Sequence, residues 1–373
     1  MISLLLSAFS ELCSRGDSII GSIETASNIP LQARENSQEV IRYLRTLAQD
    51  ARRCAVACRA IKGRAEDFSQ SSREASRLFA SYLREFHRLS REIDAIEEHF
   101  AGHIARFNAR DVLLTTLAAR LWDELNLVGV PPLVVATTSG YYNTVPDLNI
   151  IFTPLTTAES LLTVPDLGHE FGHLVHRKLF RLFDERFRVA LAEHETRLNA
   201  EIRQVSRPVQ EGLISEVSWI WRNRWAEEVA CDTFAAILFG PAYGWCNIHL
   251  CIKKPDFLAF GTHPAGDART KHIIRVLRRR EAAEAEQMEC IWRQYTNVGS
   301  HRQPSNYHDF HCDSLFIAVM EDVEAVLEGV VGNADGRNGG WLQILNEAWR
   351  MFLSDAPNRA VWEKSKLAAL VGM

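Results

Sequence analysis

The sequence predicts a mostly α-helical chain of the α+β class. Three features predict it. The N-terminal part carries a long helical seam of apolar residues, two β-branched runs follow near the middle, and helical patterning then resumes almost to the C-terminus. The change of pattern divides the chain into an N-terminal helical, coiled-coil-like domain over 1–110 and a second domain over 111–373 that holds the small sheet.

With 373 residues there is room for two domains. The composition, 47% hydrophobic and 24% charged, is that of an ordinary globular protein. A net charge of −5 gives no sign of nucleic acid or an anionic membrane as an obligatory partner. The basic triplet Arg278-Arg279-Arg280 reads as a solvated helix face. The opening MISLLLSAFSELCSRG has a short apolar run with no basic residues before it, so no signal peptide is expected. Eight scattered cysteines lack CxxC spacing, and the expectation is reduced, mostly buried thiols in a cytoplasmic protein. The uncharged stretch Phe234 to Ile252 has the length of a membrane span, but GPAYGW interrupts it and Asn247 and His249 are polar. A buried helix followed by a turn is expected there, with no membrane insertion.

The elements run in order. Val40, Ile41, Leu44 and Leu47 begin a helix that extends to about Ile61. From about Ser72, the residues Ala75, Phe79, Tyr82, Phe86, Leu89, Ile93, Ile96 and Phe100 recur at alternating steps of four and three, an a/d seam flanked by Arg and Glu. The two helices read as an antiparallel hairpin or part of a bundle. A seam of this size must be covered, by a helix of the same arm or by the second domain. The second case would restrict access to that domain's site, and self-association through these helices is a further expectation. Asp111 to Leu125 forms one more helix, and two short strands follow between Pro131 and Pro154. After Pro165 the chain is helical, with breaks near Ser206 to Pro208, Gly240-Pro241, Lys254 to Asp267, Asn297 to Pro304 and Gly332 to Gly340.

The chemistry concentrates in LGHEFGHLVH, Leu167 to His176. His169 and His173 lie one helical turn apart, so both imidazoles leave one face. Glu170 sits beside that face, where it acts as a general base without ligating a metal. His176 falls outside the longer histidine patterns and is read as a supporting or surface residue. A metal needs a third protein ligand. WAEEVACDTFAAILFG offers Glu228 as that ligand, with Asp232 one turn on to orient a ligand histidine. Glu227 competes for the role, but its partner one turn later is Cys231, a poorer acceptor.

HEFGH, then Glu228 with Asp232 and Ala235, then Thr262-His263-Pro264 with Arg269, resemble in that order the gluzincin metallopeptidases. The pattern is most similar to the HtpX and CaaX-prenyl-protease type, over about Pro131 to Arg275. The resemblance implies a zincin-like peptidase domain with zinc on His169, His173 and Glu228. It implies a zinc-dependent metalloendopeptidase that uses a zinc-activated water with Glu170 as base, and His263 and Arg269 near the rim of the site. It also implies an edge strand that pairs with substrate backbone, here Leu148 to Phe152 with Asn149 and Ile151. His263 is the first choice of oxyanion donor, and Tyr142 or Tyr141 the second. Partners are then protein or peptide substrates. Those relatives are membrane proteins and lack the N-terminal seam, so their substrate class does not carry over. Two rival readings are a catalytically silent zincin-fold binding protein that works through its helical arm, and a purely structural metal. An intact Glu170 argues against both, since neither needs a base beside the metal.

Overall fold

The computed structural model describes residues 2–25, 31–65, 72–101, 109–137, 142–154, 157, 160–179, 185–205, 211–252, 257–298, 304–330 and 340–371. It is mostly helical with one small sheet. The chain divides into two compact units. The first comprises Met1–Ala119 with Gly129–Ala136 and Asp147–Phe152, and the second comprises Arg120–Val128, Thr137–Pro146 and Thr153–Met373.

The first unit is built on three helices, α1 (Ile2–Thr25), α2 (Leu31–Ala65) and α3 (Ser72–Ile96), the last running on into a π-helical turn, Glu97–Ala101. Ion pairs fix their directions. Arg52 meets Asp17 and Arg45 meets Glu24, so α1 and α2 are antiparallel. Arg88 meets Asp50 and Tyr43 meets Glu92, which makes α2 and α3 antiparallel as well. Arg15 on Asp94 and Glu97, with Phe9 edge-on to Phe86, sets α1 parallel to α3. The lower part of the α3 seam is buried, Leu89, Ile93, Ile96 and Phe100 all at 1% exposure or less, alongside Phe9, Leu12, Ile41 and Leu44 of α1 and α2. The cover for the seam is therefore the arm itself, a three-helix bundle rather than a hairpin. The side chains of Ala75 and Phe79, at the start of the seam, lie outside the described residues.

Next come α4 (Ala109–Glu124) and the strands β1 (Leu133–Thr137), β2 (Asn143–Val145) and β3 (Ile150–Pro154). The sheet order is β1-β3-β2. The structure corrects the sequence reading here: β3 is central, so the run containing Asn149 and Ile151 has neighbours on both sides and offers no free edge. Ile151 is fully buried, and Asn149, at a positive φ of 51°, donates its side-chain amide to the carbonyls of Val130 and Pro131. The outer side of β1 is also occupied. Thr115 Oγ1 of α4 accepts from the N–H of Val134 and donates to its carbonyl, and Asp111 accepts from the N–H of Ala136. Side chains thus satisfy strand groups that would otherwise be exposed to pairing. The free edge left among the described strands is β2.

The rest of the second unit is helical: α5 (Asp166–Leu179), α6 (Glu185–Val205), α7 (Glu211–Ile220), α8 (Ala226–Phe239), α9 (Pro241–Ile252), α10 (Gly266–Arg279), α11 (Glu284–Val298), α12 (Tyr307–Phe310), α13 (Asp313–Val330), α14 (Trp341–Leu353) and α15 (Arg359–Val371). The uncharged stretch is two helices broken at Gly240, whose φ of 59° suits a residue without Cβ, with Pro241 opening the next helix. No helix among the described residues is long and apolar enough to cross a membrane. The core gathers Trp122, Phe171, Trp221, Trp225, Phe234 and Phe239, each at 1% exposure or less.

Because Leu89 is fully buried in the three-helix bundle, Leu89→Ala should cost about 2–5 kcal/mol of unfolding free energy. Urea denaturation monitored by circular dichroism measures it, and a loss below ~1 kcal/mol would contradict the burial of the seam.

Candidate metal centre

The centre is built where α5 packs on α8. Their close approach has a cause in the sequence. Gly168 and Gly172, four residues apart, lie on the face of α5 turned to α8. A Cβ on Gly168 would stand 2.6 Å from the ring of Phe239, and one on Gly172 would stand 2.8 Å from Cα of Cys231. Any larger residue at 172 meets backbone, which cannot rotate away. The histidines occupy the neighbouring strip of the same helix.

Helix α8 is reached through a π-helical turn, Trp221–Trp225, continuous with α7 before it. Two buried tryptophans hold this turn. The Trp221 indole donates to the Phe310 carbonyl at 2.8 Å and the Trp225 indole to the Gly261 carbonyl at 2.9 Å. A π turn inserts residues into the helical phase and is frequent at functional sites. Just beyond it, Glu227, Glu228 and Asp232 come to face α5.

His169, His173 and Glu228 converge on one point and form a group that can hold a metal ion. The two Nε2 atoms are 3.2 Å apart. Glu228 Oε2 lies 3.2 Å from His169 Nε2, and Oε1 lies 3.7 Å from His173 Nε2. A tetrahedral ion with bonds of about 2.0–2.1 Å keeps its ligand atoms roughly 3.3 Å apart, close to the separations of the two Nε2 atoms and of His169 Nε2 from Glu228 Oε2.

The outer hydrogen bonds orient both rings toward that point. His169 Nδ1 is 2.9 Å from Asp232 Oδ1, and His173 Nδ1 is 2.9 Å from Glu227 Oε1. A carboxylate only accepts, so each Nδ1 carries a proton, and with a cation at the point each Nε2 would turn its lone pair inward. Glu228 adds a further acceptor, and its buried Oε2 has no hydrogen-bond partner. Three acceptors facing one point repel one another unless a cation sits between them. With no ion at that point, a proton takes its place. Burial opposes charge on His169, but Asp232 and Glu228 outweigh it and push its pKa up to about 10. Burial also disfavours the Glu228 carboxylate, and His169 overrides that to bring it down to about 2.

Asp232 is the most heavily held of these groups. Fully buried, it accepts Nε and Nη2 of Arg269 at 2.7 Å each and the hydroxyl of Tyr243 at 2.6 Å, besides facing His169. Arg269, expected near the rim, is thus engaged in holding the carboxylate that orients a ligand. His263 lies at the open side with its side chain half exposed, Nε2 3.4 Å from Glu228 Oε1 and Nδ1 2.9 Å from Thr262 Oγ1. Burial lowers its pKa, so the ring is neutral at neutral pH. Glu170 is buried beside the histidines, and Thr144 of β2 donates its hydroxyl to Oε2. Tyr142 donates to the Thr163 carbonyl at 2.7 Å and lies 2.9 Å from the Thr157 hydroxyl. Tyr141 lies outside the described residues. His176 Nδ1 stands 4.0 Å from Glu227.

Sequence spacing thus finds the three converging residues, with Glu170 and Asp232 beside them. It weighs Glu227 only as a rival for the place of Glu228, whereas the adjacent glutamates divide: Glu228 joins the triangle and Glu227 faces His173 Nδ1. Tyr243 and Thr144 carry no sequence signal, because they reach the site from a separate helix and from a three-residue strand. No protein-family model, curated protein or solved structure matches the chain.

Two outcomes follow. Glu227→Gln should weaken divalent-metal affinity by roughly 10- to 100-fold by loosening His173. Competition against a chromophoric chelator reads it, and unchanged affinity would remove Glu227 from the site. Gly172→Ala should lower the unfolding free energy by about 1–3 kcal/mol, because the added methyl meets α8 backbone. An unchanged melting temperature contradicts the close helix approach.

Proposed function

We propose that the chain is a zinc-dependent metalloendopeptidase. The observation that carries this reading is a three-residue metal corner shared by α5 and α8, with a buried carboxylate of α5, Glu170, beside it and not part of it. His169, His173 and Glu228 would hold the ion, with Asp232 and Glu227 orienting the two rings. Nitrogen and carboxylate donors at these separations suit zinc. Zinc bound there supplies Lewis-acid polarisation of a carbonyl and lowers the pKa of water toward about 7.

Glu170 does the proton work. The Thr144 hydroxyl occupies Oε2, which leaves Oε1 to take a proton from the attacking water and hand it to the leaving amine. A second task is stabilising the oxyanion. His263 is the best placed donor, half exposed at the open side of the triangle. Tyr142 and Arg269 are less suited, because their donors are already given to Thr163 and Asp232. The natural seat for an extended substrate backbone is the free edge of β2, Asn143–Val145, which also carries Thr144. Peptide substrates of unrestricted sequence are the class this geometry favours, since backbone pairing needs no particular side chain.

Glu170→Gln tests the assignment. The variant should keep its metal and its melting temperature while peptide hydrolysis falls by about 10²- to 10⁴-fold. A chelator-sensitive wild-type activity that survives in Glu170→Gln would remove Glu170 from the role of base. No hydrolysis of casein or a peptide library by metal-loaded wild type would overturn the peptidase reading.

A further inference from the structure

A second cluster of reactive side chains shares no residue with the metal centre. Cys312 immediately precedes α13, and its carbonyl accepts the N–H groups of Leu315 at 3.0 Å and Phe316 at 3.5 Å. Its side chain therefore stands at the positive end of an 18-residue helix. Across from it, Arg197 of α6 aims Nη2 at Sγ, 3.0 Å away. An arginine has only donors, so the sulfur must be the acceptor, and a thiolate accepts far better than a thiol. Ser314 Oγ is 3.1 Å from the same sulfur. His194, one turn before Arg197 and 2% exposed, completes the cluster. Its Nε2–H donates to the Asp309 carbonyl at 2.8 Å, and its Nδ1 faces Arg197 Nη2 at 2.8 Å.

We propose that Cys312 is carried as a thiolate and is the site at which small hydroperoxides modify this chain. The sulfur attacks one peroxide oxygen and the O–O bond breaks. The other oxygen leaves as hydroxide, or as alkoxide from an organic hydroperoxide, and takes a proton from solvent to become water or the alcohol. Sulfur is oxidised by two electrons to the sulfenic acid, and the peroxide is reduced.

The surroundings favour this thiol over the others. Burial alone would push the Cys312 thiol up, but His194 and Ser314 reverse that and bring it down to about 6. His194 is correspondingly raised against its own burial. The other charged groups nearby are matched: Asp313 by Arg275 of α10 at 2.6 Å, and Glu201 lies 3.8 Å from Arg197 Nε. Burial instead raises Cys13, Cys54, Cys58 and Cys231, with no comparable cation on their sulfurs to reverse it. Access is narrow. Cys312 is 6% exposed, and the Ser314 side chain beside it lines an open groove of about 370 Å³ together with Glu193 and Ile317. A molecule of peroxide size suits such an approach better than a bulky disulfide does.

Pulsed iodoacetamide labelling of the full chain across a pH series, read cysteine by cysteine by mass spectrometry, tests the thiolate. Cys312 should label with a midpoint of about 6, and in His194→Gln the midpoint should rise by about one pH unit or more toward the ordinary thiol value of about 8.5. Substoichiometric hydrogen peroxide followed by a dimedone reagent should tag Cys312 before the exposed Cys290. A wild-type midpoint in the ordinary thiol range, or tagging of Cys290 first, overturns the proposal. Both readouts use wild-type protein and decide even if the variant fails to fold.

Discussion

The second unit depends on one buried carboxylate. Asp232 is fully excluded from water and carries its charge there, held well below the usual carboxylate range by Arg269 and His169 against the cost of burial. A lone charge in that position would be severely unfavourable. The bidentate guanidinium of Arg269 and the hydroxyl of Tyr243 make it tolerable, and breaking such a buried pair costs about 3–5 kcal/mol. The same carboxylate then dictates which nitrogen of His169 bears the proton. Packing, charge compensation and ligand orientation converge on one side chain, which ties α5, α8, α9 and α10 together through hydrogen bonds.

Around it the geometry follows in sequence. Glycines at 168 and 172 let α5 approach α8 closely. Helix α8 follows a π turn anchored by two tryptophans, and its consecutive glutamates, about 100° apart around the helix, face different atoms of α5. Glu227 takes the outer nitrogen of His173, and Glu228 completes the inner triangle. The result is a preorganised set of ligand-type atoms around one point, a stronger argument for a bound cation than residue types alone. It also separates Glu170 from the ligands, because that carboxylate is turned toward Thr144 on the free strand edge.

Much of this was legible in the sequence, and the rest was hidden for physical reasons. Spacing of three and four residues determines which side chains share a helix face, so the HEFGH face, the Glu228–Asp232 pair and the α3 seam could be read directly. Helix α1 escaped notice because its apolar residues were weighed as a targeting signal rather than as a partner for the seam. Sheet order is a matter of tertiary pairing: the central place of β3 depends on β2, three residues too short to show periodicity. The roles of Arg269 and Tyr243 follow from which buried charge they neutralise, and that appears only when four helices are assembled. Glu227 is intermediate. Its neighbourhood was visible, but its partner, His173, appears only once α8 is packed on α5.

The central claim is that this triangle of acceptors exists to hold a metal ion. Elemental analysis of freshly purified wild-type protein, before any chelator or added metal, tests it most directly. The account predicts about one zinc ion per chain. Metal-free protein that also fails to take up zinc saturably on titration would contradict it.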